Sequence, residues 1–517
     1  MLPVDLPDSF RPMTMGRAIQ AAMERDPDKI AVVHGARSRS FREFAARARQ
    51  LSCAAVSVLG LRPGDCVAIA SDNSIEYLEI VTGIPESGVP VATINVRLAD
   101  EEIVAICDDC GARVLFADER VAARLRGAHF RNIERMVVAG PEFETLLQAA
   151  DPAAPLPRVE EWDTWTIPYT SGTTGEPKGV MLSHRARLLN FFAKAVEFGC
   201  FSPDDRFLSI TPMNHGPGIS FPMNALVFGG AVEIMDRFDP EAVLRKLKRG
   251  GFTGIFTVPT HFHEFFGLAP EVLDACRRPP LKAIISNAAP LPAALKPKIV
   301  EYFGEGLLHE MYSSTETSLV CNLRPEDQLT KPGSVGLPFA HTLVRILDEQ
   351  GEDCGADDVG ELHASSPYLF SGYWNRPAET AAAFRGEWVS VGDLARRDAQ
   401  GYLYLVDRRK DMVISGGVNL YPREIEQVLE QHPAIAEVAV IGVPDDKWGE
   451  RLRAFVVTRP GAGLDPAALQ SFCKGRLAAF KIPRDLVLLD ALPRNASGKV
   501  LKNSLRELSR TDLNFES

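Results

Sequence analysis

Residues 67–118 read VAIASDNSIEYLEIVTGIPESGVPVATINVRLADEEIVAICDDCGARVLFAD. Three short apolar runs, VAIASDN, VPVATIN and ARVLFAD, alternate with segments of helical spacing, Ser74 to Gly83 and Leu98 to Cys110. Short apolar strands separated by helices specify a mostly parallel sheet covered on both faces, an α/β architecture. Upstream, residues 14 to 60 read as helix, strand pair and helix, with Thr14 as a cap, IAVVHG as a strand and Phe41 to Val58 as a helix.

Downstream of the proline-rich stretch Ala149 to Pro157, a second set of buried strands follows: DRFLSITP, GAVEIMD, GFTGIFTVP and LKAIISNAA, with a helix expected over Pro240 to Arg249. From about Lys331 the texture changes to short strands and turns (GSVGLPF, TLVRILD, GELHAS, GYLYLVD), which suits a small β-rich subdomain. After Lys410 comes a compact α+β pattern: helix Pro422 to Gln431, strands IAEVAVIGV and LRAFVVTR, helix Pro466 to Leu477 and strand DLVLLD. The expected division is therefore a large N-terminal α/β domain over 1–409 and a small C-terminal domain over 410–517.

A chain of 517 residues calls for more than one core. The net charge of -11 argues against nucleic acid as the main partner. The segment MLPVDLPDSF lacks the apolar run of a secretory signal, and no stretch is apolar enough for a transmembrane segment. Nine scattered cysteines without CxxC, the nearest pair being Cys107 and Cys110, suit a reduced, cytoplasmic setting rather than a zinc site.

The sharpest chemical signal is Tyr169 to Gly179, YTSGTTGEPKG. Glycines let backbone amides face a polyphosphate, hydroxyls add donors and Lys178 adds charge, although the order is not GxxxxGK[ST]. In sequence order come MYSSTE (Met311 to Glu316), VSVGDLA with Asp393, LYLVDRRKD with Arg408, and PRNASGKVLK with Lys499.

With these motifs in order over nearly its whole length, the chain resembles the acyl- and aryl-CoA synthetases of the adenylate-forming superfamily. That superfamily also holds peptide-synthetase adenylation domains and beetle luciferase. The resemblance implies that Thr170, Ser171, Gly172, Thr173, Thr174 and Gly175, with Lys178, hold the β- and γ-phosphates of ATP. Tyr312 would stack on the purine, Thr315 would donate to the α-phosphate and Glu316 would hold Mg²⁺. Asn287-Ala288-Ala289-Pro290 resembles the adenine-binding strand end, with alanines where glycines are usual. Asp393 would bind the ribose hydroxyls, with Val391 at the place of a usual threonine, and Arg408 would contact ribose and phosphate. His215, in TPMNHGPG, would orient the substrate carboxylate and gate the thiol path, Gly216 and Gly218 allowing close approach.

Lys499 would be the second cation of the first half-reaction, and Gly416 and Gly417 would edge the path of coenzyme A in the second, after the C-terminal domain turns about Lys410. Trp448 and Phe480, with Lys474, Arg476 and Lys481, suit the adenine and phosphates of coenzyme A.

The expected activity is ATP-dependent ligation of a carboxylic acid to coenzyme A. The acyl pocket is expected around Phe191, Phe221 to Met223, Pro259 to His263, Ala288 and Ser313. No arginine plainly awaits a second carboxylate, which favours a fatty or aromatic monocarboxylic acid. Loading of a carrier protein in trans, a luciferase-type reaction and a non-catalytic nucleotide-binding role remain alternatives, and a homodimer stays among the options for assembly.

Overall fold

The computed structural model describes residues 11–171, 177–416, 418–445, 447–494 and 500–512. Backbone contacts divide the chain into two units, Met1–Val344 with Ala364–Val389, and Arg345–His363 with Ser390–Ser517. This division groups residues by packing. The expected boundary at 409/410 groups them by a hinge, and it stays a proposal.

The first unit is a large α/β body built on two mixed sheets. One sheet has seven strands, in the order Gly372–Tyr373, Pro177–Ser183, Thr164–Ser171, Val91–Thr93, Cys66–Ala70, Ala112–Ala117 and Arg135–Val138. Its strands from Thr164–Ser171 onward run parallel, with Val91 opposite both Val67 and Thr166. The other sheet has nine strands, and Ile30–His34 joins it beside Ala231–Ile234, with Val32 opposite Val232. Its parallel middle is Leu308–Ser314, Ala283–Ser286, Gly254–Thr257, Arg206–Ser209 and Ala231–Ile234. Buried Val, Ile and Phe from both sheets and from helices such as Phe41–Ser57 and Ile75–Gly83 form the largest core.

Local chemistry sets the helix starts. Thr14 accepts the N–H of Arg17, and Ser40 and Glu43 form a reciprocal capping box. The helix Pro240–Arg249 has the expected bounds. The second helix of the C-terminal α+β pattern is shorter than expected, Pro466–Cys473, because Lys474 already has extended backbone.

The second unit is smaller and α+β. Strands Asp393–Arg397 and Leu403–Arg408 form an antiparallel pair. A second sheet is ordered Val418–Leu420, Val413–Ser415, Gly449–Thr458, Ile435–Asp445, with Asp485–Leu488 parallel to Gly449–Thr458. Helices Pro422–Leu429 and Pro466–Cys473 cover it. No helix among the described residues is long and apolar enough to cross a membrane. All nine cysteines are free, and only Cys354 is not buried.

Buried histidines of the first unit tie its stability to pH. His184 Nδ1 accepts the Met15 N–H at 3.2 Å, and burial pushes its pKa down to about 3. His261 Nδ1 accepts the Val258 N–H at 3.3 Å, and burial pushes it to about 4. His309 lies at about 4, mainly through burial. Each folded value is below the ordinary one, so the unfolded chain takes the proton first as pH falls. The stabilisation is full above about pH 6.5 and shrinks below it, by up to about 1.4 kcal/mol per pH unit per histidine. Thermal unfolding should therefore occur at a lower temperature at about pH 5.5 than at about pH 7.5. Equal midpoints would refute this assignment.

Candidate active site

The described ends of the segment Tyr169 to Gly179 belong to two paired strands. Thr164–Ser171 and Pro177–Ser183 pair antiparallel, with Thr170 opposite Lys178 and Tyr169 opposite Gly179. Gly172, Thr173, Thr174 and Gly175 lie outside the described residues, as does the Ser171 side chain. A Cβ on Gly179 would stand 2.7 Å from the Ile167 side chain, so the close packing of the hairpin needs glycine. Tyr169 donates to Asp109 at 2.6 Å, and Arg376 pairs with the same carboxylate at 2.6 Å.

Of the motif Met311 to Glu316, the residues Met311 to Ser314 end a strand. Leu308–Ser314 and Ser318–Leu323 pair antiparallel, Ser314 opposite Ser318, and Thr315, Glu316 and Thr317 make the turn. A bulge between Tyr312 and Ser313 shifts the register there, which re-aims the side chains that follow. Ser314 Oγ accepts the Thr317 N–H at 2.9 Å, and the Glu316 carbonyl accepts the Phe370 N–H at 2.9 Å. The Tyr373 hydroxyl donates to Glu316 Oε1 at 3.1 Å, and Lys178 Nζ lies 5.4 Å from the Tyr373 ring centre. Burial, then the Glu316 charge, push the Tyr373 pKa well up, so its hydroxyl stays a donor. Tyr373 thus joins the strand that carries Lys178 to the Glu316 turn. Sequence reasoning missed it, since its only local signal is an aromatic after Gly372.

Beside this turn, Asn287 donates to Ser313 Oγ at 2.7 Å. Ala288 has φ +74°, a left-handed backbone that explains why glycine is usual there. Ala288, Ala289 and Pro290 are exposed, and the next N–H, of Leu291, bonds to buried Glu310 at 3.0 Å. Glu310 in turn pairs with buried Lys296 at 2.5 Å.

His215 occupies the N-cap position of the helix Gly216–Val227, and its Nε2 is 3.4 Å from Asn95 Nδ2. Burial and then Arg97 lower its pKa, so it is neutral at physiological pH. Only one neighbouring glycine serves close approach. A Cβ on Gly218 would fall 1.8 Å from the Pro212 carbonyl oxygen, whereas Gly216 faces open space. The residues before His215 are held by Asn73, which accepts from Met213 N–H at 2.8 Å and donates to the Thr211 carbonyl at 3.0 Å.

Behind these motifs lies a group that sequence reasoning overlooked. Arg187, Asn190 and Lys194 form one stripe of the helix His184–Phe198, and all are buried. Arg187 and Asn190 donate to Ser318 Oγ at 2.9 and 2.6 Å, and Lys194 bonds Ser220 Oγ. The signal was present as a polar i, i+3, i+7 spacing.

In the second unit, Asp393 and Arg408 stand opposite each other in register and pair at 3.2 Å. Gly416 has φ +60°, and its N–H bonds to the Trp448 carbonyl at 2.7 Å. Lys447 and Arg484 lie 4.9 and 5.6 Å from the Trp448 ring. The basic residues expected beside Trp448 are engaged elsewhere: Lys481 pairs with Glu424 at 2.7 Å, and Arg476 stacks on Phe472. Lys474 is exposed, as is Phe480. Gly417 and Lys499 lie outside the described residues.

The AMP-binding enzyme family model matches residues 19–374, and the model of the AMP-binding enzyme C-terminal domain matches 424–499. The chain belongs to the AMP-binding, acyl-adenylate-forming enzyme family and is closely related to acyl-CoA synthetases. It is 35% identical to a 2-succinylbenzoate–CoA ligase of Geobacillus kaustophilus (strain HTA426) over 93% of this chain and 95% of that one. It is 36% identical to a feruloyl-CoA synthase of an Amycolatopsis species over 93% and 96%. The Bacillus subtilis o-succinylbenzoate CoA synthetase with the acyl-adenylate intermediate OSB-AMP superposes with a TM-score of 0.85, at 30% identity, over 96% of this chain and 98% of that one. The same enzyme in complex with ATP and magnesium ion gives 0.83, at 29%, over 94% and 98%. Adenylate-forming ligase activity is the general chemistry of this family.

A Cβ on Gly416 would sit 2.8 Å from the Trp448 ring, in a backbone conformation that already disfavours side chains. On the expectation that Gly416 edges the path of coenzyme A, Gly416→Ala should slow thioester formation from supplied acyl-adenylate and coenzyme A by about tenfold or more, the scale of that strain. A stopped-assay comparison of the two half-reactions reads it, and an unchanged second half-reaction would remove Gly416 from the thiol path.

Proposed function

We propose that the protein is an ATP-dependent acid:CoA ligase that forms an acyl-adenylate and transfers the acyl group to coenzyme A. The observation that carries this reading is the Lys178–Tyr373–Glu316 arrangement, in which a cation, a neutral donor and a carboxylate meet beside a hairpin. A single carboxylate suits Mg²⁺, which takes its remaining ligands from phosphates and water. Bound beside Glu316, that ion would neutralise phosphate charge, and relatives of this chain include one solved with ATP and magnesium ion.

In the first half-reaction a substrate carboxylate oxygen attacks the α-phosphorus, and the bond to the pyrophosphate oxygen breaks. Lys178 and the hairpin amides hold the departing phosphates, and Thr315 donates to the α-phosphate. Tyr312 stacks on the adenine, and the 287–290 turn borders it. Asp393 accepts from the ribose hydroxyls, with Arg408 keeping that carboxylate in place. His215 is neutral and abstracts no proton, because the attacking carboxylate is already ionised. Its role is to orient the acid.

Lys499 supplies the second cation. In the second half-reaction the thiolate sulfur attacks the acyl carbon, the carbon–oxygen bond to AMP breaks, and the thiol proton leaves to solvent. Gly416 and Gly417 edge the thiol path, Trp448 serves the adenine of coenzyme A, and residues 410–517 move about Lys410 between steps. The acid has a largely apolar body, as Phe191, Phe221 and Met223 suggest; aryl and fatty acids both satisfy that requirement.

Lys499→Ala should slow pyrophosphate release by about 10²-fold or more while leaving thioester formation from supplied acyl-adenylate mostly intact. Equal loss in both halves would reject the two-step assignment. Tyr373→Phe should lower adenylate formation about tenfold, the scale of one hydrogen bond to a charged group, with the KM for ATP–Mg²⁺ rising. Unchanged kinetics would show that Tyr373 does not hold Glu316 for the reaction.

A further inference from the structure

The helix Asp100–Cys110 ends on charges that a helix end disfavours. Its last turn carries Asp108 and Asp109 and no basic residue, although the C-terminus of a helix attracts cations and repels carboxylates. Asp108 accepts the Arg131 N–H at 2.8 Å, on the loop that leaves the same sheet. Asp109 reaches further along the chain. Its Oδ2 accepts from the Tyr169 hydroxyl and its Oδ1 from the Arg376 guanidinium, each at 2.6 Å.

Both partners are neighbours of the candidate site. Tyr169 precedes Thr170, which stands opposite Lys178, and Tyr169 itself stands opposite Gly179. Burial first, then Cys110 and Asp109, hold the Tyr169 pKa well up, so its hydroxyl keeps the proton that it donates. Arg376 closes the turn that begins at Tyr373, its N–H on the Tyr373 carbonyl at 3.2 Å. Thr380 Oγ1 braces that turn, accepting the Tyr373 N–H at 2.9 Å and donating to the Arg376 carbonyl at 2.8 Å. Within the turn, the Trp374 N–H donates to the Gly179 carbonyl at 2.8 Å, and its indole N–H to the Cys110 carbonyl at 3.2 Å.

These contacts close a ring. It runs from Asp109 to Tyr169, across the strand pair to Gly179, on to Trp374, and through Arg376 back to Asp109. Lys178 and Tyr373 are the chain neighbours of Gly179 and Trp374, so the ring fixes how the cation and the phenol stand to each other. The strand Gly372–Tyr373 is too short to impose that register alone. The base of the ring is rigid, because Ile103, Ile106, Cys107 and Cys110 of the same helix are buried in one core with Ile167. With both oxygens engaged and Arg376 beside it, the carboxylate is offset, which makes an acid tolerable near phosphates.

We propose that Asp109 is a positioning residue of the nucleotide site: it touches no reactant, and through Tyr169 and Arg376 it sets the spacing of Lys178, Tyr373 and Glu316 around ATP–Mg²⁺. For the reaction it serves, this rests on the ligase reading above. The unfavourable place of this carboxylate at a helix end is offset by what it organises.

Asp109→Ala should raise the KM for ATP–Mg²⁺ in pyrophosphate release by about tenfold or more, the scale of losing charge-assisted hydrogen bonds. The KM for the acid and thioester formation from supplied acyl-adenylate should stay as in the wild type, since neither uses the β- and γ-phosphates. Asp109→Asn still accepts from Tyr169 but offers Arg376 no charge, so its KM should fall between the two. Tyr169→Phe added to Asp109→Ala should cost nothing further, because both act through one contact. A merely structural Asp109 would instead lower the thermal midpoint and slow both half-reactions together. That result, or an unchanged KM for ATP–Mg²⁺, would overturn the proposal. Should Asp109→Ala fail to fold, Asp109→Asn and Arg376→Gln carry the same comparison.

Calorimetric binding of ATP–Mg²⁺ to the full chain, without acid, separates this proposal from the ligase reading. Weaker binding in Asp109→Ala, with a wild-type protein that releases no pyrophosphate with any acid, would support the positioning role and sink the ligation. Acid-dependent pyrophosphate release with equal nucleotide affinity in both proteins would do the reverse.

Discussion

The first unit brings the Tyr373 hydroxyl to the Glu316 carboxylate, with Lys178 over the same ring, and the proposed chemistry rests on that contact. Joining a carboxylate to a triphosphate means bringing like charges together, and the protein must offer opposing charge before the reactants meet. A carboxylate is a poor neighbour for phosphate unless an ion bridges them. A lysine is a poor neighbour for that carboxylate's ion unless something keeps them apart. The neutral phenol of Tyr373 donates to the carboxylate and offers its ring to the lysine.

This arrangement is built by a strand of two residues. Gly372 and Tyr373 pair at the edge of the strand Pro177–Ser183, opposite Met181 and Val180, and Phe370 just before them holds the Glu316 carbonyl. The hairpin, the turn and the short strand come from three parts of the chain. Their ladder hydrogen bonds set the spacing of the charges more firmly than unpaired loops could.

The same unit tolerates an unusual internal polarity. Lys296 and Glu310 form a buried pair that supports the Leu291 N–H, so that charge is compensated and structural. Arg187 and Lys194 are compensated by nothing charged among the described residues. Both pairs are buried in one unit, and the contrast between them shows that burial alone does not produce orphaned cations. The buried histidines follow a third pattern, kept neutral and used as acceptors at Nδ1.

Much of this protein is determined by local sequence. Alternating apolar strands and helices specify the α/β class because each strand must be covered on both faces, and glycine-dense, hydroxyl-rich motifs name the nucleotide chemistry because few other compositions can surround phosphate. Ser40, Glu43 and Thr14 place helix starts through contacts three residues away. The tertiary structure decided the rest. It put Ile30–His34 beside Ala231–Ile234, paired Thr164–Ser171 with Pro177–Ser183, chose Gly218 over Gly216 as the glycine under pressure, and set Lys447 and Arg484 over Trp448. It also turned the polar stripe Arg187, Asn190 and Lys194 inward. Periodicity says that such a stripe has a face but not which way that face points, because direction is fixed by what the neighbouring helix and turn present to it.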